Sequence, residues 1–179
     1  MIMGLEVLIL QYGITVKLQT YLKMKNLAAP VNEELAFCWD IQKLRVQNRN
    51  VFVAINTSSR YGVVSAGMKL ADVKDMPVFM KKMISMGMYC IGYDMKQIEC
   101  YFQLAGNAVL TKTHGRKAVG DMNRAIMDMG FFDDTFFSDE YYQPEFSSYI
   151  NRDICKPAGF DTYGYPEEFF KSDMERLKI

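Results

Sequence analysis

The chain has 179 residues, half of them hydrophobic and 23% charged, and its 21 basic and 21 acidic side chains cancel. That composition supplies one packed domain and excludes a disordered polyelectrolyte, and no stretch approaches the run of about eighteen apolar residues that marks a membrane helix. The charge is unevenly spread: residues 131–179 hold 11 acids and 5 bases, leaving 10 acids and 16 bases in residues 1–130.

The start, from Met1 to Leu10, has no basic segment and carries Glu6, so it does not read as a signal peptide. The cytoplasm is the expected compartment. Cys38, Cys90, Cys100 and Cys155 form no C-x-x-C pair and none adjoins the single histidine. Zinc needs clustered ligands, so no metal site and no cofactor is expected. Most of these cysteines fall in apolar runs and read as small core residues.

Leu5 to Leu10 predicts a short buried strand, ended by Gly13. Thr15 then caps a helix to about Met24 with Val16, Leu18, Tyr21 and Leu22 on its apolar side. Asn26 to Glu33 is loop. From Leu35 the alternation Leu35, Phe37, Trp39, Ile41 predicts a strand, but Leu44 and Val46 continue on the other parity. A bulge near Gln42–Lys43 would reconcile the two halves. Gln47 to Asn50 is a turn, and Val51 to Asn56 is a central strand, apolar on both faces. Thr57 to Arg60 turns the chain into a third strand over Tyr61 to Met68, completing an antiparallel meander.

Pro77 opens a helix whose buried stripe is Phe79, Met83, Met86 and Cys90, with Gly87 marking a close contact. Asp94 and Gln97 form a capping box for a helix through Ala105. Asn107 to Thr113 reads as a strand. Ala118, Val119, Met122, Ala125, Ile126 and Met129 share one face of a further helix that Gly130 ends. The 14 methionines fall mostly at such core spacing.

After Gly130, residues 131–179 carry 13 of the 24 aromatic residues, too many for a disordered tail. Pro144 begins a short helix to Ile150, and Pro166 a helix to about Lys178. The expected fold is α+β: a largely antiparallel sheet of four to five strands, helices mainly on one face, and an aromatic C-terminal extension. Residues 1–130 form the core, and the acidic, aromatic residues 131–179 pack on it within one domain.

The chemistry gathers between the strand ending at Thr113 and the helix after it. Two threonines, four cations and His114 adjoin a helix N-terminus, whose unpaired amides attract anions. With the turn before the third strand, this gives a candidate anion site of Asn56, Ser59, Arg60, Thr111, Lys112, Thr113, Arg116 and Asn123. Arg60 and Arg116 are expected to converge on one pocket. The same threonines also suit a plain helix cap around a solvated turn. His114, in a turn, is expected to be exposed.

Trp39 on an early strand, the turn Asn56 to Arg60, and the pattern T-K-T-x-x-R-x-x-V-G-x-M-N over Thr111 to Asn123 resemble an uncharacterised bacterial family, a domain of unknown function. Asn151-Arg152 and Gly164 to Glu167 are similar to its C-terminal end. The resemblance spans about residues 14–175. It implies a small bacterial α+β protein and brings no activity.

Three functions follow as expectations. The first is a binding protein whose polar cleft takes phosphate, carboxylate or a nucleic-acid backbone. The second is an enzyme on a small anionic substrate, with Arg60 and Arg116 orienting it and His114 or Asp121 as base. The third is a homo-oligomer or partner-binding protein using the aromatic extension.

Overall fold

A computed structural model describes residues 8–31, 34–127, 129 and 137–179. The expectations for Leu5 to Val7, for Asn32 and Glu33, for a helix stop at Gly130 and for the pairs Phe131–Phe132 and Phe136–Phe137 (in its first ring) lie outside those residues. Five strands, β1 (Leu10–Ile14), β2 (Cys38–Val46), β3 (Arg49–Asn56), β4 (Gly62–Ala66) and β5 (Ala108–Thr111), form one sheet in the order β4-β3-β2-β1-β5.

The meander is present: β2, β3 and β4 pair antiparallel in sequence. Gln47 and Asn48 both take positive φ, 45° and 65°, which makes the β2–β3 turn the two-residue form matched to strand twist. The sheet is nevertheless mixed, not largely antiparallel, because β1 lies between β2 and β5 and runs parallel to both. The cause is topological. The link from β1 to β2 passes through helix α1 (Val16–Leu22), and a helical crossover returns the chain in the same direction.

Helices lie on both faces of the sheet. Helices α3 (Met76–Cys90), α4 (Met95–Ala105) and α7 (Pro166–Arg176) bury Met80, Ile98, Phe170 and Met174 against Tyr12, Trp39, Ile41, Phe52 and Val63. Helices α5 (Arg116–Met127) and α6 (Pro144–Ile150) bury Met122, Ala125, Phe146 and Ile150 against Leu44, Val46, Val51, Val53 and Ile55. A single turn of helix, α2 (Leu70–Val73), precedes α3.

Two-sided burial also removes the need for a bulge. The β2–β3 register is unbroken from Trp39↔Asn56 to Val46↔Arg49. Trp39 and Ile41 face one core, while Leu44 and Val46 face the other. The change of parity is a change of core, not a slip. Gly13 does not end β1 but lies inside it, and Thr15 precedes α1 without a side-chain cap bond. The Asp94–Gln97 capping box is formed, with hydrogen bonds of 2.9 and 3.1 Å.

The C-terminal extension enters both cores. Phe170 stacks among Trp39, Tyr61 and Tyr101, and Phe137 meets Phe146 on the opposite side. It also closes the β4 edge. The Ala66 N–H donates to Tyr141 O, the Val64 N–H to Ser147 Oγ and the Gly62 N–H to Asn151 Oδ1. An edge so covered offers no free ladder to another chain.

Gly87 sits where α3 touches β4, and a Cβ there would overlap Val63 Cγ1, whereas a Cβ at Gly120 on α5 meets nothing within 4 Å. Both substitutions by alanine gain up to about 1 kcal/mol of helix propensity. Gly120→Ala is therefore expected to stabilise the protein. Gly87→Ala is expected to destabilise it by about 1–3 kcal/mol through overpacking. Urea midpoints of the two variants measure this, and equal midpoints would contradict the close approach of α3.

Candidate functional site

The turn between β3 and β4 is built around Asn56. Its Nδ2 donates to Ala36 O at 2.9 Å, and its Oδ1 accepts from the Ser59 N–H at 3.1 Å and from Ser59 Oγ at 2.9 Å. The Arg60 N–H returns to Asn56 O at 2.9 Å. These bonds close the turn so tightly that Arg60 takes φ of 64°, a left-handed conformation unusual for a long side chain.

Arg60 is 2% exposed. None of its Nε, Nη1 and Nη2 atoms has a hydrogen-bond partner among the described residues. A buried guanidinium whose donors find no protein partner among the described residues is costly, because burial strips its hydration. Asp121 on α5 and Cys155 lie within its field. Burial raises the Asp121 carboxyl above the ordinary range, with Arg60, Lys117 and Arg124 pulling it down. Burial likewise pushes the Cys155 thiol up, and the Arg60 guanidinium close beside it opposes the rise.

The extension lies over this turn. The Gly159 N–H donates to Ser58 O at 2.9 Å, and a Cβ at Gly159 would overlap Ser58 Oγ. Asp173 on α7 is buried, which raises its carboxyl, while Ser58 and Arg176 beside it pull the other way. Arg176 reaches back in a bidentate pair to Glu34, at 2.9 and 2.8 Å, and holds that carboxyl low.

A second polar pair stands at the same end of the sheet. Asp40 of β2 is fully buried on the α5 side, opposite Ile55. Gly13 of β1 is in register with Asp40 on one side and with Thr111 of β5 on the other. A Cβ at Gly13 would overlap the Asp40 carboxylate. Through that gap Asp40 crosses β1 to the segment after β5. Oδ1 and Oδ2 each accept the His114 N–H at 3.1 Å, and Oδ1 meets ring Nδ1 at 2.6 Å. The His114 side chain has 0% exposure, and Nε2 has no partner among the described residues. His114 is thus not the exposed turn residue that its neighbours suggested. Its partner lies 74 residues away in sequence.

Of the residues proposed from sequence, Asn56, Ser59 and Arg60 come together, but Asn56 and Ser59 spend their polar atoms on the turn. Thr111 is buried and its hydroxyl donates to Lys112 O at 2.8 Å. Thr113 is half-buried, and Lys112, Arg116 and Asn123 are exposed. Arg116 is exposed, as is Lys117 beside it. Lys117, one residue on, is the cation that acts with Arg60 on both Asp121 and Cys155. Sequence reasoning missed Asp40, Cys155 and Lys117 as neighbours. One signal was available: an acid inside the apolar run Phe37 to Ile41.

Among the described residues no group of three or more His, Cys, Asp or Glu side chains could hold a metal ion, and no helix is long and apolar enough to cross a membrane.

Residues 11–169 match the model of a protein family described as Domain of unknown function (DUF6933), and the chain belongs to that family. No curated protein and no solved structure matches it.

The raised Asp121 carboxyl gives a signed prediction. Asp121 ionises less readily folded than unfolded. Its charge therefore costs stability once pH rises through the folded-state value, and the cost is absent below the unfolded carboxylate range near about pH 4. Asp121→Asn is expected to be more stable than wild type at neutral pH, with the advantage gone at about pH 4. Denaturation at both pH values checks it. A loss of stability at neutral pH would show that attraction to Arg60 outweighs burial.

Proposed function

We propose that the protein binds a small oxyanion, a phosphate or a carboxylate, at the Arg60 guanidinium. One observation supports this above the others: a guanidinium 2% exposed with no hydrogen-bond partner on any nitrogen among the described residues. Arginine presents a planar fork of donors that matches two oxygens of one carboxylate or phosphate. An oxyanion there satisfies donors that the described residues leave idle. It also gains strength from a medium of low effective dielectric.

Lys117 adds a second positive charge, and the α5 N-terminus adds the partial charge of its amides. Asp121 works against the anion by offering Arg60 an internal counter-charge at longer range. A nucleic-acid backbone fits less well than a small ligand. A polymer binds charges presented at the surface, and Arg60 is closed over by the turn and by the segment at Cys155 and Gly159. A ligand reaches it only when that cover gives way.

Arg60→Met tests the idea. Replacing a buried, unpaired charge with an apolar side chain of similar length is often neutral or stabilising. The variant is expected to melt at or above the wild-type temperature without anions. Wild type is expected to gain stability as phosphate or acetate is added, by about 2.7 kcal/mol at a hundred times the dissociation constant, and Arg60→Met to gain none. Equal anion responses in both proteins would remove Arg60 from the site.

A further inference from the structure

We propose that the cleft between α3, α4 and the β5 edge binds a short peptide with free termini, Lys81 taking its carboxylate, Glu99 its ammonium group and the cleft floor its apolar side chains. This cleft shares no residue with the Arg60 turn, so the proposal does not depend on the anion site.

The cleft has three walls, and helical spacing builds two of them. Pro77, Val78 and Lys81 lie within one turn on one side of α3. Glu99, Phe102 and Gln103, spaced i, i+3 and i+4, share one side of α4. The sheet supplies the third wall. Leu10 of β1 is in register with Ala108 of β5, and Tyr12 follows two residues on, on the same face. The enclosed volume is about 740 Å³, within the usual range of small-molecule sites.

Leu10, Tyr12 and Phe102 belong to the buried core yet line this cleft, so its floor is apolar. Its rim carries charges of opposite sign on different helices. Lys81 and Glu99 are exposed, and neither has an ion-pair partner among the described residues, although both line the same cleft. The Lys81 Nζ lies 5.2 Å from the centroid of the Phe102 ring, which holds the ammonium at the cleft wall. Two opposite charges that do not reach each other across an apolar floor complement a ligand with the same two charges reversed. A simple anion would meet Lys81 and be repelled by Glu99. A free amino acid carries both of its charges on one carbon. A peptide of two or three residues separates them by up to about 3.5 Å per residue and sets side chains between them. That combination of separated end charges and an apolar middle is what the cleft matches.

The test is an amide NMR titration of the full chain at about pH 6.5, where both peptide termini are charged. The probes are the dipeptide leucyl-phenylalanine, its N-acetyl form and its C-terminal amide. The free dipeptide is expected to shift the Gly106, Asn107 and Ala108 amides, which border the cleft. It is expected to bind roughly fivefold more tightly than either blocked form, the worth of one ion pair at an exposed rim. Lys81→Gln is expected to bind the free dipeptide and the amide equally while still disfavouring the acetyl form. Glu99→Gln is expected to do the reverse. Both positions are exposed, so the variants are expected to melt as wild type does. Equal binding of all three probes by wild type, shifts that avoid residues 106–108, or preferences that survive in both variants would overturn the proposal. So would a failure of the free dipeptide to bind, and none of these results bears on Arg60.

Discussion

The Asn56 clasp is the constraint on which the site depends. One side-chain amide joins the end of β3 to Ala36 on one side and to Ser59 on the other. A five-residue link between antiparallel strands has many conformations, and these bonds select one in which Arg60 has positive φ. An arginine on an ordinary turn would extend into solvent. Here the backbone directs it under α5 and the C-terminal extension, where it is 2% exposed. Conformational strain and desolvation coincide at one residue. Such coincidence is characteristic of positions kept for function at the expense of stability.

The mixed sheet is the second requirement. Asp40 reaches His114 only because β1 separates their strands and carries glycine at the crossing point. In an all-antiparallel sheet of the same strands, β5 would have no reason to lie one strand away from Asp40. The parallel pairing of β1 with both neighbours is thus what assembles the Asp40–His114 pair. The extension completes the environment from the opposite end of the chain. Gly159 and Asp173 pack at Ser58, Cys155 lies beside Arg60, and Asn151 bonds both backbone groups of Gly62. Its aromatic rings secure that placement by filling both cores.

What the sequence makes legible is local. The meander, the capping box at Asp94, the crowded Gly87 and the helix from Pro144 to Ile150 each rest on a few neighbouring residues, and each is present. What escapes is set by distant partners. The parity change between Ile41 and Leu44 looks like a bulge if one face is assumed to be buried, and two buried faces make it an ordinary strand. Gly13 looks like a stop because glycine weakens strands, yet it stays within β1 because Asp40 needs the space. His114 looks exposed because its flanks are polar, and only the partner 74 residues earlier buries it. At the candidate site, Arg60 and its turn could be read directly. The effect of the Lys117 charge on Asp121 and Cys155 could not, since it depends on how α5 and the C-terminal extension lie against the turn.

A crystal structure grown in selenate would test the Arg60 site most directly, because selenium can be located by its anomalous signal without reference to the protein. The expected result is a selenate ion with two oxygens at hydrogen-bond distance from the Arg60 guanidinium, and the Cys155 to Gly164 segment displaced or reordered around it. A fully occupied Arg60 whose nitrogens are paired to Asp121 or another side chain, with no ion beside it, would contradict the anion site.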